Sequence, residues 1–140
     1  MHLFRLCSVT LFILCLSCSS SNDPLEIDRW QLSSTFSYMT NTELSASELS
    51  YTETVEFVSD GLFLKSQTRA GETTIAEARW EVTEIDGQSG FQVRYTENNP
   101  LIENCSGEAM EFYILQAGML IQNNAIPCDG PEYRYIRRSE

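Results

Sequence analysis

Residues 29–38 read RWQLSSTFSY, and their side chains alternate between polar and apolar. The apolar side of this pattern holds Trp30, Leu32, Phe36 and Tyr38. A period of two over ten residues is typical of a β-strand with one buried face. We therefore expect a strand here, with those four side chains pointing into the core.

The same period recurs along the rest of the chain. Further runs lie at residues 51–58, 62–67, 73–84, 91–96, 110–114, 119–122 and 132–138. Tight-turn signals such as Asp60-Gly61 and Ala117-Gly118 separate them, because glycine adopts positive φ readily. Connections this short rule out parallel crossovers, and eight strands that each have one apolar face suit a small closed barrel. The sequence predicts an all-β, eight-stranded antiparallel up-and-down barrel over residues 28–140.

The loops of such a barrel fall at two ends. Connections after the second, fourth and sixth strands are tight, whereas those after the first, third, fifth and seventh are mostly longer. We call the first set the hairpin end and the second set the rim, which we expect to be open. Cys105 and Cys128 fall in two rim loops and are expected to form a disulfide, with two buried thiols as the alternative.

The chain begins with the features of an export signal. Residues 6–16 form an apolar run too short to span a bilayer, and Leu16 and Ser17 precede Cys18 as in a lipoprotein processing site. We expect residues 1–17 to be a lipoprotein signal peptide, Cys18 to be acylated, and residues 18–27 to form a flexible tether. An ordinary cleaved signal and a retained buried segment are the alternatives.

Closure of the barrel would bring the first and last strands together. The start of the first strand then lies beside the end of the last, which places Trp30 near Arg137 or Arg138. A guanidinium over an indole face contributes about 0.5–2 kcal/mol. We expect Trp30 and Arg137 to close the barrel.

These features resemble the lipocalin-like, or calycin, barrels. The processing site, the Trp-Gln-Leu of the first strand and Cys128-Asp129-Gly130 before a Tyr-rich last strand are similar to small lipocalin-like lipoproteins of Gram-negative bacteria. One departure is Asp28, since lipocalins usually have glycine two residues before the tryptophan. The resemblance implies fold and location, a lipoprotein of the bacterial cell envelope anchored in the outer membrane, rather than an activity.

The expected function is non-catalytic binding of a small apolar ligand inside the barrel at the rim. Ala76 and Ala78 are the small inward residues, so a cavity should lie beside them. The alternative is a structural or protein-interaction envelope lipoprotein with a packed interior, since many aromatic side chains project inward by parity. The ligand-binding candidates are Tyr38, Tyr51, Ala76, Ala78, Trp80, Tyr95 and Phe112.

Net charge and residue composition argue against several other classes of function. The formal net charge is −11, and loss of the leader with Arg5 makes it −12, which argues against nucleic-acid binding. An acidic rim could meet a basic protein partner, although a solvated acidic surface is the simpler interpretation. The single histidine, His2, lies in the leader, so we expect no enzyme, no metal site and no cofactor, and a monomer attached to the membrane by its lipid.

Overall fold

The computed structural model describes residues 27–138 as one continuous sheet closed into an antiparallel barrel, which confirms the predicted fold class. Successive strands pair in chain order, except that a short strand, β2, forms a hairpin with the second half of β1. The leader, Cys18 and residues 19–26 of the tether lie outside the described residues. The elements are β1 (Ile27–Ser37), β2 (Thr42–Ser45), β3 (Tyr51–Val58), β4 (Leu62–Arg69), β5 (Glu72–Ile85), β6 (Gln88–Tyr95), β7 (Met110–Gln116), β8 (Met119–Gln122), a 3-10 helix (Ile126–Cys128) and β9 (Glu132–Arg137).

The first and last barrel strands close the sheet. β1 pairs with β9 from Trp30 opposite Arg137 to Phe36 opposite Glu132. The Arg137 guanidinium carbon lies 5.2 Å from the Trp30 ring centroid, and its Nη2 donates to Asp28 Oδ2 at 2.8 Å. Closure removes the free edges that an open sheet would expose.

A β-bulge in β1 corrects part of the predicted inward face. The register with β9 shifts between Leu32 and Ser34, and the Ser33 hydroxyl donates to the Arg134 carbonyl at 2.8 Å. A one-residue shift turns every later side chain to the opposite face. Trp30 and Leu32 therefore point inward as predicted, whereas Phe36 and Tyr38 do not.

Two connections at the rim differ from the prediction. The segment predicted as a long polar connection after β1 contains β2, which pairs with residues 34–37. The connection between β4 and β5, predicted to be among the longer ones, is a two-residue turn at Ala70-Gly71. Both turn residues have positive φ, as a type I′ hairpin requires.

The rim is covered rather than open. Leu101, in the long loop between β6 and β7, is buried in the main core cluster, and Ile102 packs against that cluster. The Cys105–Cys128 disulfide, with Cα atoms 5.6 Å apart, joins this loop to the 3-10 helix and confirms the predicted bridge. In the chain-entropy model a loop of this length gives about 3 kcal/mol of stabilisation. The predicted rim cavity is therefore closed from above by the protein's own loop.

Candidate functional site

Aromatic side chains fill the middle of the barrel. Phe63, Tyr113 and Tyr135 are completely buried, and Phe57 is nearly so. The Tyr113 ring lies 5.6 Å from Phe63 and 6.0 Å from Tyr135, centroid to centroid. These distances are within the range for favourable aromatic pairs, so the rings occupy the space that a ligand in the barrel would need.

Next to the rings lies a buried ionic cluster. Lys65 Nζ donates to Glu111 Oε1 at 3.0 Å and lies 3.8 Å from Glu53 Oε1, and all three side chains are almost completely buried. Burial by itself lowers the pKa of Lys65, but the two carboxylates outweigh it and the pKa is raised overall. Lys65 is therefore held as a cation between two acceptors, and we call the three residues the ionic cluster.

Tyrosine hydroxyls donate hydrogen bonds to both carboxylates of this cluster. Tyr95 and Tyr113 donate to Glu111 Oε2 at 2.6 and 2.8 Å, and Tyr135 donates to Glu53 Oε1 at 2.6 Å. Burial first, and the nearby carboxylates second, raise the pKa of each of these tyrosines. The hydroxyls therefore stay protonated and keep donating at physiological pH.

The rim loop takes part in the same network. The Glu103 backbone N–H donates to Glu111 Oε1 at 2.7 Å, and its carbonyl accepts from Gln122 Nε2 at 2.6 Å. Burial raises the pKa of the Glu103 carboxyl, against the opposing effects of the Lys65 charge and a hydrogen bond from Tyr133. The loop thus bonds directly to the ionic cluster that it covers.

Ala76 and Ala78 do not line the expected cavity. Ala76 stands opposite Lys65 across β4 and β5, and Ala78 stands between Phe63 and Tyr95 on its two neighbouring strands. Cross-strand partners share a face, so each alanine lies beside a large inward side chain. The small residues make room for the rings and for Lys65 rather than for a ligand.

The remaining ligand-binding candidates are dispersed. Tyr38 is 57% exposed and donates to Glu132 outside the barrel, so its predicted inward position is wrong. The predicted inward position of Phe112 is also wrong. Glu111 and Tyr113 are the inward residues of β7, and Phe112 lines an outer groove. Tyr51 is half-buried at the rim under Arg69, and burial raises its pKa to about 12.

Trp80, the last candidate, lies in a cleft at the hairpin end. This aromatic cleft has a volume of about 200 Å³ and is lined by Asp28, Phe57, Ser59, Trp80 and Phe91. Trp80 Nε1 donates to the Val58 carbonyl at 2.9 Å, which fixes the ring. The cleft therefore lies at the opposite end from the one where sequence analysis placed the ligand.

Some of the rim carboxylates accept hydrogen bonds from neighbouring residues. Glu43 accepts from Ser34 at 2.7 Å and from Arg134 at 3.1 Å, and Glu48 accepts from the Ser45 hydroxyl at 2.6 Å. A carboxylate already bonded within the chain has less to offer a basic partner. Glu43 therefore has a counter-charge within the chain, whereas the bond from Ser45 leaves the charge of Glu48 uncompensated.

Residues 27–138 hold no group of three or more histidine, cysteine or acidic side chains placed to bind a metal ion. They also contain no helix of the length and apolar character needed to cross a membrane. No protein-family model, curated protein or solved structure matches the chain.

The ionic cluster is the feature that sequence analysis missed. Glu53 shares the parity of Tyr51 and Val55, so its inward position could have been found. Lys65 and Glu111 could not, because Leu62-Phe63-Leu64 and Met110–Gln116 have apolar residues at both parities. In both segments the strand register determines which residues point inward. Lys65 pairs with buried Val55, and Glu111 pairs with buried Val93.

Replacing the buried Lys65 cation should strongly destabilise the fold. Lys65→Met leaves Glu53 and Glu111 buried without a counter-charge, so we expect a loss of about 3–5 kcal/mol in the free energy of unfolding. Urea denaturation measures this change. The control is Arg94→Met, which breaks the exposed contact with Glu81 and should cost about 0–1 kcal/mol. A loss no larger for Lys65→Met than for the control would contradict the cluster.

Proposed function

We propose that the protein is a membrane-tethered envelope lipoprotein that acts as a non-catalytic binding module with a packed interior. The observation that carries this proposal is the filled barrel, where aromatic rings and the ionic cluster occupy the axis and the rim loop covers them. Of the two functions expected from the sequence, the geometry favours the one in which recognition occurs on the outside. A small apolar ligand at the rim would have to displace Leu101 and the Glu103 backbone bonds.

The tether is the second part of the proposal. It is supported by the residues before Cys18 and by the direction of the chain, since Ile27 starts β1 at the hairpin end. An acyl anchor on Cys18 would place that end toward the membrane and the rim away from it. Partners of this module would be the membrane itself, through the lipid, and a molecule or protein that meets its outer surface.

A basic protein at the rim remains a secondary proposal. The net charge of −11 would attract such a partner over a distance, and half-buried Glu103 lies in the rim loop. The ion pair of Glu43 with Arg134 weakens this proposal. The hairpin end and the outer faces of the barrel are therefore better candidates than the rim carboxylates alone.

Enlarging an inward alanine tests the packed interior. Ala78→Leu should lower the free energy of unfolding by about 1–3 kcal/mol, because Phe63 and Tyr95 leave no room for added carbon atoms. The control is Glu77→Leu, one residue earlier on the exposed face of β5. Equal or greater stability of Ala78→Leu in thermal denaturation would mean that the leucine fills a cavity, and the packed interior would be wrong.

The anchor is tested by metabolic labelling in a bacterial host. With an alkyne-bearing fatty acid in the medium, we expect the chain to take up label and to sediment with membranes. Cys18→Ser should lose both properties, whereas Cys7→Ser, a matched change in the leader away from the processing site, should keep them. Labelling of Cys18→Ser at the original level would rule out this anchor.

A further inference from the structure

We infer that the aromatic cleft at the hairpin end is a binding site for a small, neutral, planar aromatic molecule that carries one hydrogen-bond donor. The inference rests on the proposed function in one respect, namely that recognition takes place outside the packed interior. It does not depend on the acyl anchor. Its support comes from the shape of the cleft, the fixed position of its rings and the charge at its edge.

The shape of the cleft suits a flat apolar group. Trp80 and Phe91 meet edge to face, with centroids 5.5 Å apart and an interplanar angle of 89°. Phe57 lies 4.6 Å from Phe91 and 5.6 Å from Trp80. Aromatic pairs attract each other beyond the effect of area burial, which favours a ring over an aliphatic chain. An apolar space of about 150 Å³ accommodates benzene, so about 200 Å³ can take one ring or a fused pair.

The protein's own contacts hold the rings of the cleft in place. Trp80 is held at its ring by the bond to the Val58 carbonyl and at its backbone N–H by the Gly61 carbonyl at 3.0 Å. Phe57 is almost completely buried, so its ring has little freedom to move. A ligand would therefore lose little affinity to the ordering of these side chains.

An exposed apolar side chain lies next to the cleft. Val82, on the strand of Trp80, is 71% exposed and pairs with Phe91 across β5 and β6, so apolar surface continues beyond the cleft. The exposed side allows a ligand to enter without unfolding the barrel.

The edge of the cleft determines the charge of the ligand. Asp28 lines it, and Asp28 Oδ2 accepts from Arg137 Nη2 at 2.8 Å. Asp28 is the one charged residue among those that line the cleft, so it disfavours an anion there, whereas a cation would compete with the Arg137 contact. A carboxylate can accept several hydrogen bonds at once, so it retains capacity for a neutral N–H or O–H donor.

The test uses indole as the probe and 1-methylindole, which lacks the donor, as its partner. Titrations of the full chain are followed by NMR through the Trp80 Nε1–H signal and the backbone amides. We expect saturable binding of indole, with shifts at Phe57, Trp80 and Phe91, and about tenfold weaker binding of 1-methylindole.

Variants separate the cleft from other surfaces. Phe91→Ala should weaken indole binding about tenfold or more, because it removes one ring of the site. Ile75→Ala, an exposed apolar residue on the same strand as Trp80, is the control and should bind like the unchanged chain. Circular dichroism checks that both variants keep their fold.

Several results would overturn the inference. These are absence of saturable binding, equal affinity for indole and 1-methylindole, or a Phe91→Ala variant that binds like Ile75→Ala. Shifts centred on Val93 and Tyr113 would place the probe in the barrel and refute the packed interior as well, whereas absence of binding leaves the packed interior standing.

Discussion

The ion pair between Lys65 and Glu111 is the contact around which the interior of this barrel is arranged. A cation with no exposed surface is stable only if acceptors surround it, and Glu111 and Glu53 supply them. Those carboxylates in turn require donors, which come from tyrosines and from the backbone of the rim loop. The network therefore joins β3, β4 and β7 to the loop above them and leaves no apolar channel along the axis.

This arrangement explains why the aromatic cleft and the covered rim lie where they do. The polar half of the interior faces the rim, where the disulfide-linked loop bonds to Glu111. The aromatic half faces the hairpin end, where Phe57, Trp80 and Phe91 meet. Apolar surface is therefore accessible at the end where Ile27 enters the barrel, opposite the covered rim.

Much of the fold could be predicted from the sequence because strand period and turn residues are local signals. The barrel, the Cys105–Cys128 bridge and the inward positions of Trp30, Ala76 and Tyr95 follow from them. The face of β7 and the second half of β1 could not be predicted, since a pairing register and a bulge at Ser33 decide them. The filled space beside Ala76 and Ala78 could not be predicted either, because parity counts cannot show that large neighbouring side chains occupy it.

The most direct test of the packed interior uses the fact that Lys65 is the only lysine in the chain. An amine-reactive succinimidyl ester is applied to the native protein and to the protein in guanidinium chloride, and peptide mass spectrometry measures modification at Lys65. The account predicts that Lys65 reacts in the denatured chain and stays unmodified in the native one, because Glu111 and the surrounding rings exclude the reagent. Modification of native Lys65 at the denatured rate would show that the barrel axis is accessible and would contradict the account.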